Sequence, residues 1–433
     1  RAGARGLKVV LFEEKELGGV CLNEGCIPTK TLLYSAKVYD SALTCTKYGV
    51  NAEAVSFDFG KMMSRKQKMV KKLVGAVKSK MKAHNVETVQ GAAYIEGRSH
   101  KGIEITSGGG AFIASNLLIC TGSESFIPPV PGLGAPNDII LTNREILELK
   151  EKPESLAIIG GGVIGMEFAS FFNSIGTKVT VVEMMGEILT GMDVEMSTML
   201  RKMYEKKGIT FHLSSKVVEV KGNEVIFEKD GGREAVSGTK ILVSVGRKPV
   251  TGGFGLENLG VEVMRGGIKV DNKMRTNIPN VFAAGDVTGF SLLAHTASRE
   301  GEVVVNNLCG REDTMRYNAI PGVVYTNPEI SGVGLTEEAA KAKKIDYKIA
   351  GLPMAYAGRF LVENEGGGGL CKVLVGAEYG EVLGVHILGN PSSEIIYGAC
   401  IAIEAEMTLK EMEEVVFPHP TVSEIFKETI FAY

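Results

Sequence analysis

The stretch from Ser155 to Glu183 constrains the fold more than any other part of the chain. An apolar strand, Leu156–Ile159, runs into Gly160-Gly161-Gly162-Val163-Ile164-Gly165, and a helix follows with Phe168, Phe171, Phe172 and Ile175 apolar. Gly176 closes that helix, and a second strand from Lys178 ends in Glu183. Strand, glycine turn, helix and strand with an acid 18 residues past the last glycine form a dinucleotide-binding unit. Gly160, Gly162 and Gly165 permit the turn and let a pyrophosphate approach the helix N-terminus, whose N–H groups and dipole favour an anion. Glu183 accepts from ribose hydroxyls and repels a 2′-phosphate, so the expected nicotinamide cofactor is NAD. The chain holds 54 glycines, against roughly 30 at average usage, which suits such close backbone approaches.

The unit is echoed. Gly6-Leu-Lys-Val-Val-Leu-Phe-Glu13 matches Gly176-Thr-Lys-Val-Thr-Val-Val-Glu183, and NLLICTG ending at Gly122 matches KILVSVG ending at Gly246. Two units of one kind are implied. The fingerprint glycines lie 16, 14 and 11 residues before Gly176, and the same offsets from Gly6 fall before Arg1. The first unit is therefore expected to lack its initial strand and glycine loop, and the chain reads as an N-terminally incomplete record of a longer enzyme. At roughly 150 residues per domain, 433 residues make about three domains. A net charge of −3 gives no bias toward nucleic acid or anionic membrane, and no apolar run is long enough to span a bilayer.

Seven cysteines are too sparse and odd in number for a secreted disulfide scaffold. Cys45, Cys120, Cys309, Cys371 and Cys400 stand singly and read as small buried hydrophobes. Cys21 and Cys26 differ. Five residues of regular helix rise about 7.5 Å, more than a disulfide spans, so the two pair only if the segment departs from helix, which Gly25 would ease. A helix is expected from Thr31 to Leu43, with Cys26 near its N-terminus, where the dipole lowers a thiol pKa. Zinc fits poorly, since no second Cys/His pair has ligand spacing. A redox pair fits the spacing better.

Gly18–Lys30, GGVCLNEGCIPTK, resembles the redox segment of the class I flavoprotein pyridine nucleotide-disulfide oxidoreductases, most closely their dihydrolipoamide dehydrogenase branch. TNIPNVFAAGDVTG (Thr276–Gly289) looks like the family's second flavin motif, YTNPEISGVGLTE (Tyr325–Glu337) its interface-domain opening, and FPHPTVSE (Phe417–Glu424) its base motif. The resemblance covers nearly the whole chain. It implies an α/β fold of two Rossmann-like domains, the first lacking its initial strand and glycine loop, plus a C-terminal α+β dimerisation domain. The expected boundaries are 1–125 with 250–315 for FAD, 126–249 for NAD and 316–433 for the interface, with FIPPVPG (Phe126–Gly132) as a crossover. It further implies Cys21 as interchange thiol and Cys26 as charge-transfer thiolate against FAD. Lys30 would sit near the flavin and pair with Glu167 of the NAD unit. Glu13, Thr121, Gly122, Asp286 and Ala294 complete the expected FAD residues, and Gly246 joins those for NAD. His419 would be the base, acting across a homodimer interface and oriented by Glu424, although Thr421–Glu424 also fits a capping box.

The activity implied is oxidation of protein-bound dihydrolipoamide with reduction of NAD, within a 2-oxoacid dehydrogenase or glycine cleavage complex. The compartment would be the cytoplasm or the mitochondrial matrix, with a lipoyl-bearing protein as partner and neither nucleic acid nor membrane. NADP-linked glutathione reductases fit less well because of Glu183. Mercuric and large thioredoxin reductases fit less well because no cysteine follows Cys400. The rivals kept are another NAD(P)H-dependent disulfide reductase of this family and a flavin-free structural subunit. His84, His100, His212 and His386 lack a partner motif and read as structural or exposed, and His295 lies in LLAHTASREG, which resembles the family's flavin-contacting helix, and reads as non-catalytic. Gly366–Gly369 reads as a loop. Lys61–Lys82 holds nine basic residues and no acid, with Met62, Met69, Leu73, Val77 and Met81 on its apolar side. It reads as a solvated helix face or a dock for an acidic partner.

Overall fold

The structure, a computed structural model, describes all of residues 1–433. The chain divides into two compact units: 1–28, 64–126 and 246–316 in the first, 29–63, 127–245 and 317–433 in the second.

Unit 2 contains a five-stranded parallel sheet in the order Thr210–His212, Lys178–Val182, Ser155–Ile159, Lys240–Val243, Ile140–Leu141. The strand that delivers the glycine loop is therefore central. Helix Val163–Ser174 covers it with Phe168, Phe171 and Phe172, each 1% exposed. Gly176, at φ +81°, ends that helix: its N–H bonds to Asn173 O and the Thr177 N–H to Phe172 O, the paired bonds of a Schellman turn. A second, antiparallel sheet runs Gly322–Val324, Ile330–Gly334, Val382–Leu388, Leu370–Gly376, Tyr347–Pro353 and packs against helices Ser392–Glu404 and Glu424–Phe431. This is the α+β block expected at the C-terminus. At the crossover, Gly132 takes φ +78° and any Cβ there would collide with Val220 O.

The duplication read from two short sequence echoes extends through unit 1. Val9–Glu13 pairs in parallel with Val86–Gln90, as Lys178–Val182 does with Thr210–His212. Each pair leads into a three-stranded antiparallel meander whose first strand carries a register shift, at Ile95/Gly97 and at Val217/Glu219. Each meander then leads to the strand of the second echo, Leu117–Ile119 or Lys240–Val243. The match stops at the central strand. In unit 1 the flanking pairs stand as two separate parallel ribbons, the second being Leu117–Ile119 with Val281–Ala283. The two strands also differ in burial. Val9–Glu13 is half-exposed along its whole length, whereas Val179, Val181 and Val182 are exposed by 1% or less.

Several local expectations are corrected. The helix expected from Thr31 begins at Cys26 and runs to Leu43, with Pro28 in its first turn, where a missing N–H costs nothing. On the basic helix Phe59–Ala83, Leu73 is 38% exposed and Val74 takes its place inward, together with Lys66 at 2%. Of the single cysteines only Cys371 is buried; Cys45 and Cys400 are half-buried, and Cys120 and Cys309 are exposed. Cys309 caps a helix end. Cys120 holds the place that Ser244 holds in unit 2, where the Ser244 hydroxyl donates to the Ile159 and Gly160 carbonyls.

Candidate functional site

In unit 2 the glycine loop is built for an anion. Gly160 takes φ +102°, and a Cβ on Gly165 would collide with the Gly160 carbonyl, so both glycines are needed for helix and strand to approach. At Gly162 a Cβ would meet nothing within 4 Å, leaving open space above the helix start. The N-cap has no side-chain acceptor and the first turn no acid, so its amides point outward unanswered by the chain's own groups. Glu183 lies just past its strand and accepts from the Met185 amide at 2.7 Å and from the Gly161 amide. Its carboxylate thus sits at the loop it was expected to serve. Gly246, at φ +127°, follows the strand Lys240–Val243 and opens the last segment of unit 1, where its carbonyl accepts from Phe126 N.

Every expected flavin residue of unit 1 stands at or beyond the C-terminal end of a parallel strand, the edge where open α/β sheets bind ligands. Glu13 ends its strand and accepts from Lys15 N at 2.8 Å, as Glu183 does from Met185 N. Thr121 and Gly122 follow Leu117–Ile119; Gly122 takes φ +72° with nothing within 4 Å of a would-be Cβ. Asp286 follows Val281–Ala283 and accepts from the Ser123 hydroxyl, while Arg247 donates to Ser123. The turn before it is held by the fully buried Glu300, which accepts from Gly285 N at 2.6 Å. Ala294 opens helix Ala294–Leu308. An acid for ribose hydroxyls, an open glycine and an aspartate on the next strand fit the ribose and ribityl parts of FAD. Residues 1–433 hold no second glycine cradle like Gly160–Gly165.

The redox pair is formed. Helix Gly19–Glu24 stops at Gly25, whose φ −140° and ψ −111° break the path before Cys26 starts the next helix. The break shortens the Cα separation of Cys21 and Cys26 to 4.7 Å, and the two are joined as a disulfide. Asn23 between them ties the segment down, its amide donating to Leu17 O and Gly19 O. One turn on, in unit 2, the Lys30 ammonium bonds to both Glu167 oxygens at 2.8 Å. Glu167 is 3% exposed and also accepts from Tyr325 N, while the Tyr325 ring lies 4.6 Å from the ammonium. The sequence reading missed Tyr325, which lies inside a motif read only as a domain boundary.

His419 Nδ1 lies 2.9 Å from Glu424 Oε1, and the imidazole is 78% exposed while the carboxylate is 14% exposed. Glu424 Oε2 accepts from Thr421 N. That bond and the imidazole hold the Glu424 carboxyl below the usual carboxylate range. The capping box is half present. The helix starts at Glu424 itself, and the Thr421 hydroxyl turns to Pro418 O and Ser423 instead of capping it. One carboxylate thus orients the ring and anchors the turn.

A further cluster had no sequence signal. The Lys372 ammonium, 5% exposed, meets Asp193 at 3.1 Å, Glu195 at 2.6 Å and Glu337 at 3.1 Å. Asp193 also caps helix Val194–Lys206 through the Glu195 and Met196 amides. Cross-strand from Lys372, His386 is buried and its Nε2–H donates to Leu335 O; burial pushes its pKa down. No group of three or more His, Cys, Asp or Glu side chains is placed to hold a metal ion, and no helix is long and apolar enough to cross a membrane.

Comparison with known proteins agrees with this geometry. Residues 1–301 match the family pyridine nucleotide-disulphide oxidoreductase, and residues 320–430 match the dimerisation domain of that family. A dihydrolipoyl dehydrogenase of Geobacillus stearothermophilus is 38% identical over 99% of this chain and 91% of its own length. The human mitochondrial dihydrolipoyl dehydrogenase is 36% identical over 100% of this chain and 87% of its own. Among solved structures, the HOCl-induced flavoprotein disulfide reductase RclA of Escherichia coli superposes with a TM-score of 0.86 at 28% identity, covering 99% of this chain and 95% of that one.

Proposed function

The chain belongs to the pyridine nucleotide-disulphide oxidoreductase family, and on that premise we propose that it oxidises protein-bound dihydrolipoamide to lipoamide and reduces NAD to NADH. The observation that carries this reading is the Cys21–Cys26 disulfide across the Gly25 break, followed one turn later by the Lys30–Glu167 pair.

In the first step a substrate thiolate attacks Cys21 Sγ, the Cys21–Cys26 bond breaks, and Cys26 leaves as the thiolate. The substrate's second thiol then loses its proton to His419 Nε2 and attacks the mixed disulfide, releasing cyclic lipoamide and Cys21. A thiol is a few per cent ionised at neutral pH, so a base at this step raises the reactive fraction. Glu424, fixed on Nδ1, selects the tautomer whose Nε2 accepts the proton and stabilises the imidazolium that results. The exposed imidazole suits a base that serves the disulfide of the other subunit in a homodimer. Lys30 places a positive charge one turn from the Cys26 thiolate. Glu13, Thr121, Gly122 and Asp286 at the strand ends of unit 1 would hold FAD, which would supply the two-electron chemistry linking the dithiol to NAD. Glu183 holds the NAD ribose, and the amides after Gly162 hold the pyrophosphate.

The test is the anaerobic visible spectrum of the purified protein before and after dihydrolipoamide. A flavin band that gains a long-wavelength charge-transfer shoulder is expected. Failure to develop a flavin band even with added FAD would refute the assignment.

A further inference from the structure

The helix Phe59–Ala83 extends about 37 Å at 1.5 Å per residue. At 100° per residue, Lys68, Lys71, Lys72, Lys78 and Lys82 fall within a sector of about 120°, and all five are exposed. Gly75, Ala76 and Ser79 are exposed along the same helix and keep its middle low. The opposite side is inward, with Val74 at 8% and Met69, Val77 and Met81 half-buried. Lys68, Lys71, Lys72 and Lys82 meet no carboxylate within the chain. In a protein with 51 acids and a net charge of −3, a 22-residue stretch with no acid leaves a local positive field that the pairs of Lys61 with Asp58 and Lys78 with Glu16 offset only in part.

The strip borders the redox segment. Lys78 Nζ bonds to Glu16 Oε2 at 3.1 Å, and Glu16 O accepts from the side chain of Asn23, which lies between Cys21 and Cys26. Lys61, in the same sector, pairs with Asp58 just before the helix, and Lys78 is the lysine that ties the face to the disulfide's own loop.

We propose that this face is the docking strip for an acidic carrier protein that presents the dithiol. The inference rests on the reaction assigned above, because only a dithiol borne on a protein needs a docking surface. A single-sign strip beside the reactive disulfide raises the encounter rate of an oppositely charged carrier and leaves a small neutral dithiol unaffected. Nucleic acid fits less well, since no base-reading element accompanies the strip.

The experiment compares the holoenzyme with its Lys68→Glu/Lys72→Glu/Lys82→Glu variant. The substrates are free dihydrolipoamide and an acidic lipoyl domain carrying the reduced lipoyl group. Lys68 and Lys72 stand i,i+4, so their exchange swaps one like-charge pair for another, while Lys82→Glu puts an acid in the last turn against the helix dipole, a small cost that unchanged turnover of free dihydrolipoamide checks. Turnover of free dihydrolipoamide is expected to stay unchanged, which also reports an intact fold. With the lipoyl domain, kcat/KM at low salt should fall about ten-fold or more, and the wild-type salt dependence should flatten. Equal effects on both substrates, or none on either, overturn the proposal. So does binding of duplex DNA or phosphatidylserine vesicles that the variant loses while its lipoyl-domain kinetics are unchanged. If the wild type fails to oxidise free dihydrolipoamide, the reaction assignment falls and the docking strip falls with it, a result distinct from the others.

Discussion

Replacing Lys372 by methionine keeps the buried stem and removes only the charge that three carboxylates share. Asp193, 2% exposed on its side chain, would be left facing Glu195 and Glu337 with no cation. Removing one partner of a buried ion pair costs about 3–5 kcal/mol. Glu195 and Glu337 are 53% and 22% exposed and recover water, so the lower end, about 3 kcal/mol, applies. In a unit of this size one kcal/mol moves Tm by about 2 °C, which gives a fall of about 6 °C by calorimetry at pH 7. The pH dependence has a definite sign. Burial opposes the Lys372 charge, but the Glu195 hydrogen bond and the Asp193 and Glu337 charges outweigh it and raise the lysine's pKa. Its contribution is complete below the ordinary lysine range, near 10.4, and is lost as pH rises through the folded value. Burial likewise raises Glu337, and Lys372 overrides it, holding that carboxyl below its usual range. That contribution is present above about pH 4.3 and is lost as pH falls through the folded value. The gap between wild type and Lys372→Met should therefore be full from about pH 5 to 10 and narrow below about pH 4. Adding Asp193→Asn, which still caps its helix, should restore part of the loss. A fall of less than about 2 °C, or an Asp193→Asn change that only adds to the damage, would refute the reasoning.

Gly165→Ala should abolish NAD-dependent turnover by driving helix and strand apart, while dihydrolipoamide still reduces the disulfide under stoichiometric, anaerobic conditions. Glu183→Gln should raise the NADP to NAD ratio of kcat/KM about ten-fold, since a carboxylate no longer faces the 2′-phosphate; an unchanged ratio counts against Glu183 as the ribose acid. Glu424→Gln should lower kcat by about 100-fold with the Cys21–Cys26 disulfide intact by mass, and full activity would return Glu424 to a purely anchoring role. Under native conditions a maleimide should label exposed Cys309 and spare Cys371, whose thiol burial pushes up to about 12; early Cys371 labelling would contradict its burial.

What the sequence determined by itself was whatever follows from local chemistry at fixed spacing. Glycines at 160, 162 and 165 with an acid at 183 specify a turn, an anion site and a ribose acceptor, because each requirement is met within one strand–helix–strand unit. Gly25 between Cys21 and Cys26 is of the same kind. Where the chain's expected edges moved, the reason was also local: Pro28 in a first turn is neutral, so a helix could begin at Cys26 instead of after the proline. The tertiary structure decided what depends on residues far apart in the chain. Lys372 reads as one strand lysine until Asp193, Glu195 and Glu337 arrive around it, and Tyr325 reads as a motif residue until its ring meets Lys30. Ion pairing and burial are sums over neighbours, and neighbours are set by the packing of sheets.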